Sequence, residues 1–241
     1  MEKKNLRVTL TSVLAGTALV ASLGLMGCAQ QGGGDEAAAP ADDAAAAAPA
    51  EDAAAAPADD ATAAAPGEAA GFTEVTIENA DGDMLDGIDV GDGFMEVSGV
   101  YFQPVSMSPG QESTEGFDLH LEADVAAGAN AAKIGYEPGT WIPYMTVDYV
   151  VYPAGSKFEG DPVVSGSFME MNASDGCHYG ANIKLDEGTY DVKFVFHNPA
   201  ENGYLIHSDA ETGPGGVLDD VFGNGPLELT FEGWEFQKQG W

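Results

Sequence analysis

The feature that most restricts the fold is a series of short segments in which apolar and polar residues alternate or Val, Tyr and Phe predominate. Alternation with a period of two is the pattern of a β-strand with one buried face. Gly, Pro, Asp and Asn lie between the segments, as expected at turns. No helical period of useful length interrupts them, so the sequence predicts an all-β domain, an immunoglobulin-like antiparallel β-sandwich. The segments are 73–79, 94–102, 117–125, 144–152, 163–171, 189–197 and 227–236.

The first residues have the layout of a bacterial lipoprotein signal. A positively charged start is followed by residues 8–27, which carry no charge and are mostly apolar. This run ends in Leu-Met-Gly before Cys28, which is the lipobox pattern of a lipid-modified cysteine. We therefore predict a signal peptide over residues 1–27, a lipid bilayer anchor on Cys28 and an extracytoplasmic location, on the cell surface or in the periplasm. The alternative is an ordinary transmembrane anchor, which would be short for a bilayer.

The following stretch, residues 28–70, is rich in Ala, Pro and Asp and contains no aromatic residue and no Leu, Ile or Val. Such a segment cannot bury enough apolar surface to offset the entropy of its chain. We predict a disordered, extended tether that holds the domain away from the lipid anchor. After residue 70, aromatic residues appear and Val, Ile and Leu return, and residues 71–241 have the length of one domain.

The charge balance excludes one class of partner. The chain carries 40 acidic residues against 8 lysines and arginines, a formal net charge of −32. A surface of this sign repels phosphate backbones, so we expect no nucleic-acid partner. It attracts cations, but it also keeps a protein soluble, and composition alone does not separate these two roles. Besides Cys28 the chain has only Cys177, so we expect the domain to be held together by its core and not by a disulfide.

One predicted strand carries a pair of candidate metal ligands. In segment 117–125, Phe117 and three aliphatic residues share one face, while His120 and Glu122 share the other with two aspartates. Residues two apart on a strand lie about 7 Å apart, a workable spacing for two ligands. The alternative is a solvated outer face with no metal.

A second stretch, residues 169–180, offers a thioether, carboxylates, a thiol and an imidazole where a predicted strand ends and a glycine-containing loop begins. Thioether with imidazole suits copper, and carboxylate with imidazole suits iron, zinc or manganese. The alternative is that Met169 and Met171 fill the core and that Asp175 and Gly176 form a turn.

The remaining candidates are weaker. His207 stands alone before a glycine-rich run, and His197 ends a predicted strand, where we expect it at the surface. Segment 81–89 is acidic but lacks the spacing and closing glutamate of a calcium loop, so we interpret it as an acidic turn.

Taken together, the segments from about residue 72 to the C-terminus resemble the bacterial ferrous-iron transport family of periplasmic or secreted lipoproteins, which accompany a high-affinity iron permease. The resemblance rests on five separated motifs in the same order, which are far more specific than any one of them. The motifs are 100–104, 120–124, 141–144, 173–176 resuming at 178–183, and 207–213.

The resemblance implies a homodimeric immunoglobulin-like sandwich that binds copper, with iron or a second cation beside it. Cys177 stands where the family usually has proline, and it is either an additional ligand or a bystander. Thr140 stands where the family tends to have glutamate. Asp124 and Asp209 are candidate acceptors for the ligand imidazoles. The implied metal ligands are His120, Glu122, Met171, Asp175, His178 and His207.

The function that this resemblance implies is a lipid-anchored binding protein that captures iron, with copper at its site, and passes iron to a membrane permease. One alternative is a copper-centred redox enzyme that changes the oxidation state of iron during uptake. The other is a surface protein-interaction module, a role that sandwich folds also perform.

Overall fold

The computed structural model of the protein describes residues 73–238, and within them ten β-strands form two antiparallel sheets. The predicted signal peptide, Cys28 and the tether lie outside the described residues and stay predictions. The strands are β1 Val75–Thr76, β2 Ile88–Val90, β3 Met95–Phe102, β4 Leu119–Ala127, β5 Val147–Pro153, β6 Val164–Ser167, β7 Met169–Asn172, β8 Cys177–Ile183, β9 Gly188–Phe196 and β10 Leu227–Phe236.

The first sheet has the order β1-β3-β4-β8-β7, with β2 also paired to β3, and the second has the order β10-β9-β5-β6. In the described part of the chain, short helical turns lie in the connections: two 3-10 helices, Ala129–Ile134 and Pro199–Asn202, and one α-helix, α1 Asp219–Phe222. No helix within residues 73–238 has the length and apolar character needed to cross a membrane. The predicted all-β sandwich is confirmed.

Apolar side chains from both sheets form the core. Trp234 of β10 is fully buried, and its ring centroid lies 5.3 Å from that of Tyr101 on β3. Phe168 packs against Tyr149 and Phe194, with ring centroids 4.9 and 5.3 Å away. Burial of each such side chain stabilises the fold by roughly 1.5–3 kcal/mol, so the core holds the two sheets together.

Three details differ from the prediction. Segment 163–171 is two strands in different sheets, because the chain crosses from β6 to β7 at Phe168. The stretch from Cys177, predicted as a loop, is the strand β8 inside the first sheet. Phe117, predicted to face the core, precedes β4 and is 40% exposed.

The face of β4 and β8 that points away from the core carries buried polar side chains. Leu119, Leu121 and Ala123 of β4 are buried in the core, so His120 and Glu122 between them point to the other side of the sheet. That side is not solvated here, since His120 is 0% exposed and Glu122 is 2% exposed. A buried imidazole beside a buried carboxylate is a costly arrangement that needs a partner.

Candidate metal centre

Strand pairing brings the candidate ligands together around a glycine. In the β4–β8 pair, His120 lies opposite Asn182 and Glu122 lies opposite Gly180. His178 lies two residues before Gly180 and therefore on the same face of β8. A Cβ atom at Gly180 would lie only 2.6 Å from Nε2 of His120, so the absence of a side chain there leaves room for the imidazole.

Three ligand atoms converge on one point of this face. Oε1 of Glu122 lies 3.2 Å from Nε2 of His120 and 3.0 Å from Nε2 of His178. Each of the three residues offers one ligand atom, and these atoms all lie within 4.8 Å of one another. Their side chains are at most 4% exposed.

These short distances are ion-pair contacts and not well-formed hydrogen bonds. Both Nε2 atoms are buried and have no hydrogen-bond partner of acceptable geometry. Two buried nitrogen atoms without partners would each cost free energy in a protein that bound nothing here. An ion between them and the carboxylate would satisfy all three atoms, so the residues present fit a metal.

The charges in the cluster support one another. Burial raises the pKa of Glu122, but the imidazoles of His120 and His178 more than offset this, so its pKa lies below the usual value. Burial lowers the pKa of His178, but Glu122, with smaller contributions from Asp124 and Asp175, raises it above the usual value. The cluster is therefore poised to hold positive charge, either protons or a cation.

A group of carboxylates borders the imidazoles. Burial raises the pKa of Glu74 to about 7, with further contributions from the charge of Glu122 and a hydrogen bond with Asp175. Burial raises the pKa of Asp124 to about 6, and Glu122 again adds to the shift. Carboxyl groups that resist losing their protons together favour a bound cation, which would relieve their repulsion.

Glu74 is a residue that the sequence analysis missed. It precedes the two-residue strand β1, which pairs with β3 and not with β4 or β8. Nothing in the local pattern of segment 73–79 distinguishes Glu74 from a surface glutamate. Only the pairing of distant strands brings it next to Asp175.

The structure brings some predicted ligands to this centre and leaves others apart. Met171 of β7 lies directly opposite His178 in the β7–β8 pair, and Asp175 lies in the turn between these two strands. His207 is 74% exposed and bonds through Nδ1 to Thr212, whose hydroxyl donates to Asp209. Among the described residues, His207 is not part of the converging group.

Cys177 is also outside the converging group, although it adjoins His178. Its thiol is exposed and donates to Oδ1 of Asn172 at 2.7 Å. His197, predicted to lie at the surface, is partly exposed; it directly follows β9 in the other sheet and lies 3.0 Å from Asp148 of β5.

Fold and cluster together define a β-sandwich protein with a buried histidine–carboxylate centre on one sheet face. The chain belongs to the iron transport family: the family pattern, described as Fe2+ transport protein, matches residues 84–237. It is 38% identical over 178 residues to the 34 kDa membrane antigen of Treponema pallidum, covering 72% of this chain and 79% of the antigen.

Solved structures of similar proteins match much of this chain in sequence and fold. FetP of uropathogenic E. coli is 33% identical, with a TM-score of 0.55 over 69% of this chain and 97% of FetP. The copper-reconstituted P19 protein of Campylobacter jejuni is 31% identical, with a TM-score of 0.53 over 69% of this chain and 97% of P19. A variant of FetP has also been solved with copper bound.

Proposed function

We propose that this protein is a metal-binding accessory protein of iron uptake, with copper held by His120, Glu122 and His178 and by the thioether of Met171. The observation that carries the proposal is the convergence of two buried, unpartnered Nε2 atoms on one carboxylate oxygen. Imidazole with thioether is a donor set that suits copper. The family membership and the copper-bound relatives support the same assignment.

The neighbouring carboxylates suit a second, harder cation. Glu74, Asp124 and Asp175 lie close to Glu122 and the imidazoles, and burial raises the pKa of Glu74 to about 7 and that of Asp124 to about 6. Carboxylate ligands suit a harder cation such as iron, whereas imidazole with thioether suits copper. We propose that ferrous iron is captured at these carboxylates, next to the copper, and then released to a membrane permease.

Copper at the imidazoles would supply a redox-active centre. The protein supplies the binding geometry: two rigid strands hold the imidazoles, and the carboxylates keep the local potential negative. A copper-centred redox activity on iron is the second candidate, because the two ligand sets are adjacent. Consumption of Fe(II) in air, with dioxygen as the electron acceptor, that is faster for the copper-loaded protein than for a protein-free blank or for His178→Ala would favour this activity over capture alone.

The place of action follows from the N-terminal prediction. A lipid on Cys28 would anchor the chain to a bacterial membrane from outside the cytoplasm, and residues 28–70 would give the domain reach toward the permease. We also propose a homodimer, in which the exposed His207 contributes to the copper site. A ligand that is 74% exposed in one copy is available to another.

The test is a titration of the mature protein with Cu(II) and, separately, with anaerobic Fe(II), followed by calorimetry. His178→Ala is the test variant, and His197→Ala is the matched control because it removes an imidazole outside the cluster. We expect tight copper binding, impaired by His178→Ala and not by His197→Ala, and weaker iron binding. Affinity no tighter than roughly millimolar, worth only about 4 kcal/mol, would refute the metal site.

A further inference from the structure

Asn182 of β8 lies beside His120 and joins it to a distant loop. Oδ1 of Asn182 is 2.9 Å from Nδ1 of His120. The same oxygen accepts a hydrogen bond from the backbone N–H of Val105 at 3.1 Å, and Nδ2 of Asn182 donates to the carbonyl of Val105 at 2.7 Å. Asn182 is 7% exposed, so water does not compete for these bonds.

The two bonds to Val105 decide which way the amide of Asn182 points. If the amide were flipped, Nδ2 would face the N–H of Val105 and Oδ1 would face its carbonyl. Both contacts would then join like groups, donor to donor and acceptor to acceptor. The atom facing Nδ1 of His120 is therefore the oxygen, which can only accept.

An acceptor at Nδ1 determines where the proton of His120 resides. The neutral ring carries one proton. On Nδ1 this proton makes a hydrogen bond to Oδ1 of Asn182, whereas on Nε2 it would make none of good geometry and would leave the lone pair of Nδ1 facing that oxygen. With the proton on Nδ1, Nε2 keeps a buried lone pair 3.2 Å from Oε1 of Glu122, where a cation between the two atoms would relieve their repulsion.

We propose that Asn182 is a positioning residue for the metal centre: held by the backbone of Val105, it keeps the proton of His120 on Nδ1 and presents Nε2 as the ligand atom. This role rests on the proposed function for its consequence, since it matters only if a metal binds Nε2. It also makes the loop between β3 and β4, where Val105 lies, part of the support of the metal centre.

The role can be tested without any metal. Two-bond proton–nitrogen spectra of the imidazole rings, recorded on the metal-free protein at alkaline pH, report which nitrogen of His120 carries the proton. We expect the proton on Nδ1 in the wild type. A wild-type ring protonated on Nε2 alone would overturn the proposal, whatever the variants do.

Two variants of similar size separate positioning from a structural role. Asn182→Asp keeps an acceptor for Nδ1 and for the N–H of Val105, but it loses the donor to the carbonyl. Asn182→Leu loses all three bonds, and the proton should move to Nε2, where Glu122 is the nearest acceptor. We expect Asn182→Asp to keep the wild-type tautomer and Asn182→Leu to lose it; equal tautomers in both would overturn the proposal.

Copper titration of the same proteins then tests whether the position of the His120 proton affects Cu(II) affinity. Asn182→Leu should weaken Cu(II) binding roughly 10- to 100-fold, the usual effect of removing a group that orients a metal ligand. Asn202→Leu is the matched control, because Asn202 also donates to a backbone carbonyl but lies in an exposed turn. If the wild type binds no copper, the proposed function fails while the tautomer result stands. If it binds copper and Asn182→Leu binds equally well, the positioning role fails alone.

Discussion

Gly180 lies against the imidazole of His120: a Cβ atom at Gly180 would be 2.6 Å from Nε2 and 3.2 Å from Cε1 of that ring. The same atom would be 3.3 Å from Cγ of Glu122. Gly180 does not have a positive φ, so its backbone would accept any residue. The glycine is required by the space that the side chains of His120 and Glu122 occupy.

Gly180→Ala should therefore displace His120 and Glu122 while keeping the fold. We expect a loss of roughly 10-fold or more in Cu(II) affinity by calorimetry and a stability cost of about 1–3 kcal/mol from overpacking. Gly166→Ala is the control, since its Cβ would lie 2.6 Å from Oη of Tyr149 in the other sheet. If both variants lose copper binding equally, the effect is general and not local.

The stability of the metal-free protein should fall as the pH rises. Glu74 and Asp124 have folded-state pKa values of about 7 and about 6, above their ordinary 4.5 and 3.8, and the pKa of His178 is also raised. Such groups bind more protons when folded, so their contribution is present at low pH and is lost as the pH rises through these folded values. Thermal melts should show a lower Tm at about pH 8 than at about pH 5, and Glu74→Gln should reduce the difference.

A bound metal should reverse this trend, because a cation replaces the lost protons. We expect Mn(II) or Cu(II) to raise the Tm more at about pH 8 than at about pH 5, with each kcal/mol corresponding to about 2–4 °C in a domain of this size. An equal shift at both pH values would show that the metal binds away from these carboxyl groups.

Cys177 should not be a metal ligand. Its thiol bonds to Asn172, and successive residues of a strand point to opposite faces, so Cys177 points away from the face of His178. Cys177→Ser should leave Cu(II) affinity unchanged in calorimetric titration. A tenfold loss, about 1.4 kcal/mol, would contradict this and place the thiol in the site.

The role of His207 can be tested with mixed dimers. In the proposed homodimer, His178→Ala and His207→Ala each remove a different ligand, so each variant alone should bind copper poorly. When the two are refolded together, random pairing should restore about a quarter of the sites, because half of the dimers then hold one intact site. A mixture no better than the single variants would contradict a site shared between copies.

Alternation in the sequence was sufficient to predict β4 and to place His120 and Glu122 on one face. It could not predict that this face is buried, because the cover comes from elsewhere in the chain: Phe102 packs its ring 5.3 Å from that of His120, and Val105 binds Asn182. The positions of Phe102 and Val105 over this face depend on contacts between residues far apart in the sequence, which no local pattern encodes.

The strand β8 was missed for a different reason. Its residues after Cys177 are all buried, so the strand shows no contrast between an apolar and a polar face. It also begins directly after an Asp-Gly pair, which is a turn signal. The short strand β2, Ile88–Val90, gave no usable period at all. The family resemblance nevertheless gave candidate ligands in this stretch, because it depends on residue identity and not on secondary structure.

Phe168 separates two strands that belong to different sheets, and it is anchored by its backbone N–H to the carbonyl of Val147. Three residues further on, Met171 is held opposite His178 by the pairing of β7 with β8. Only Met169 and Glu170 separate these two fixed points, so an inserted residue would have to form a bulge in the crossing or shift Met171 out of its register with His178. The length of this crossing should therefore be as restricted as the identity of the two histidines, and relatives that retain the cluster should lack insertions and deletions here.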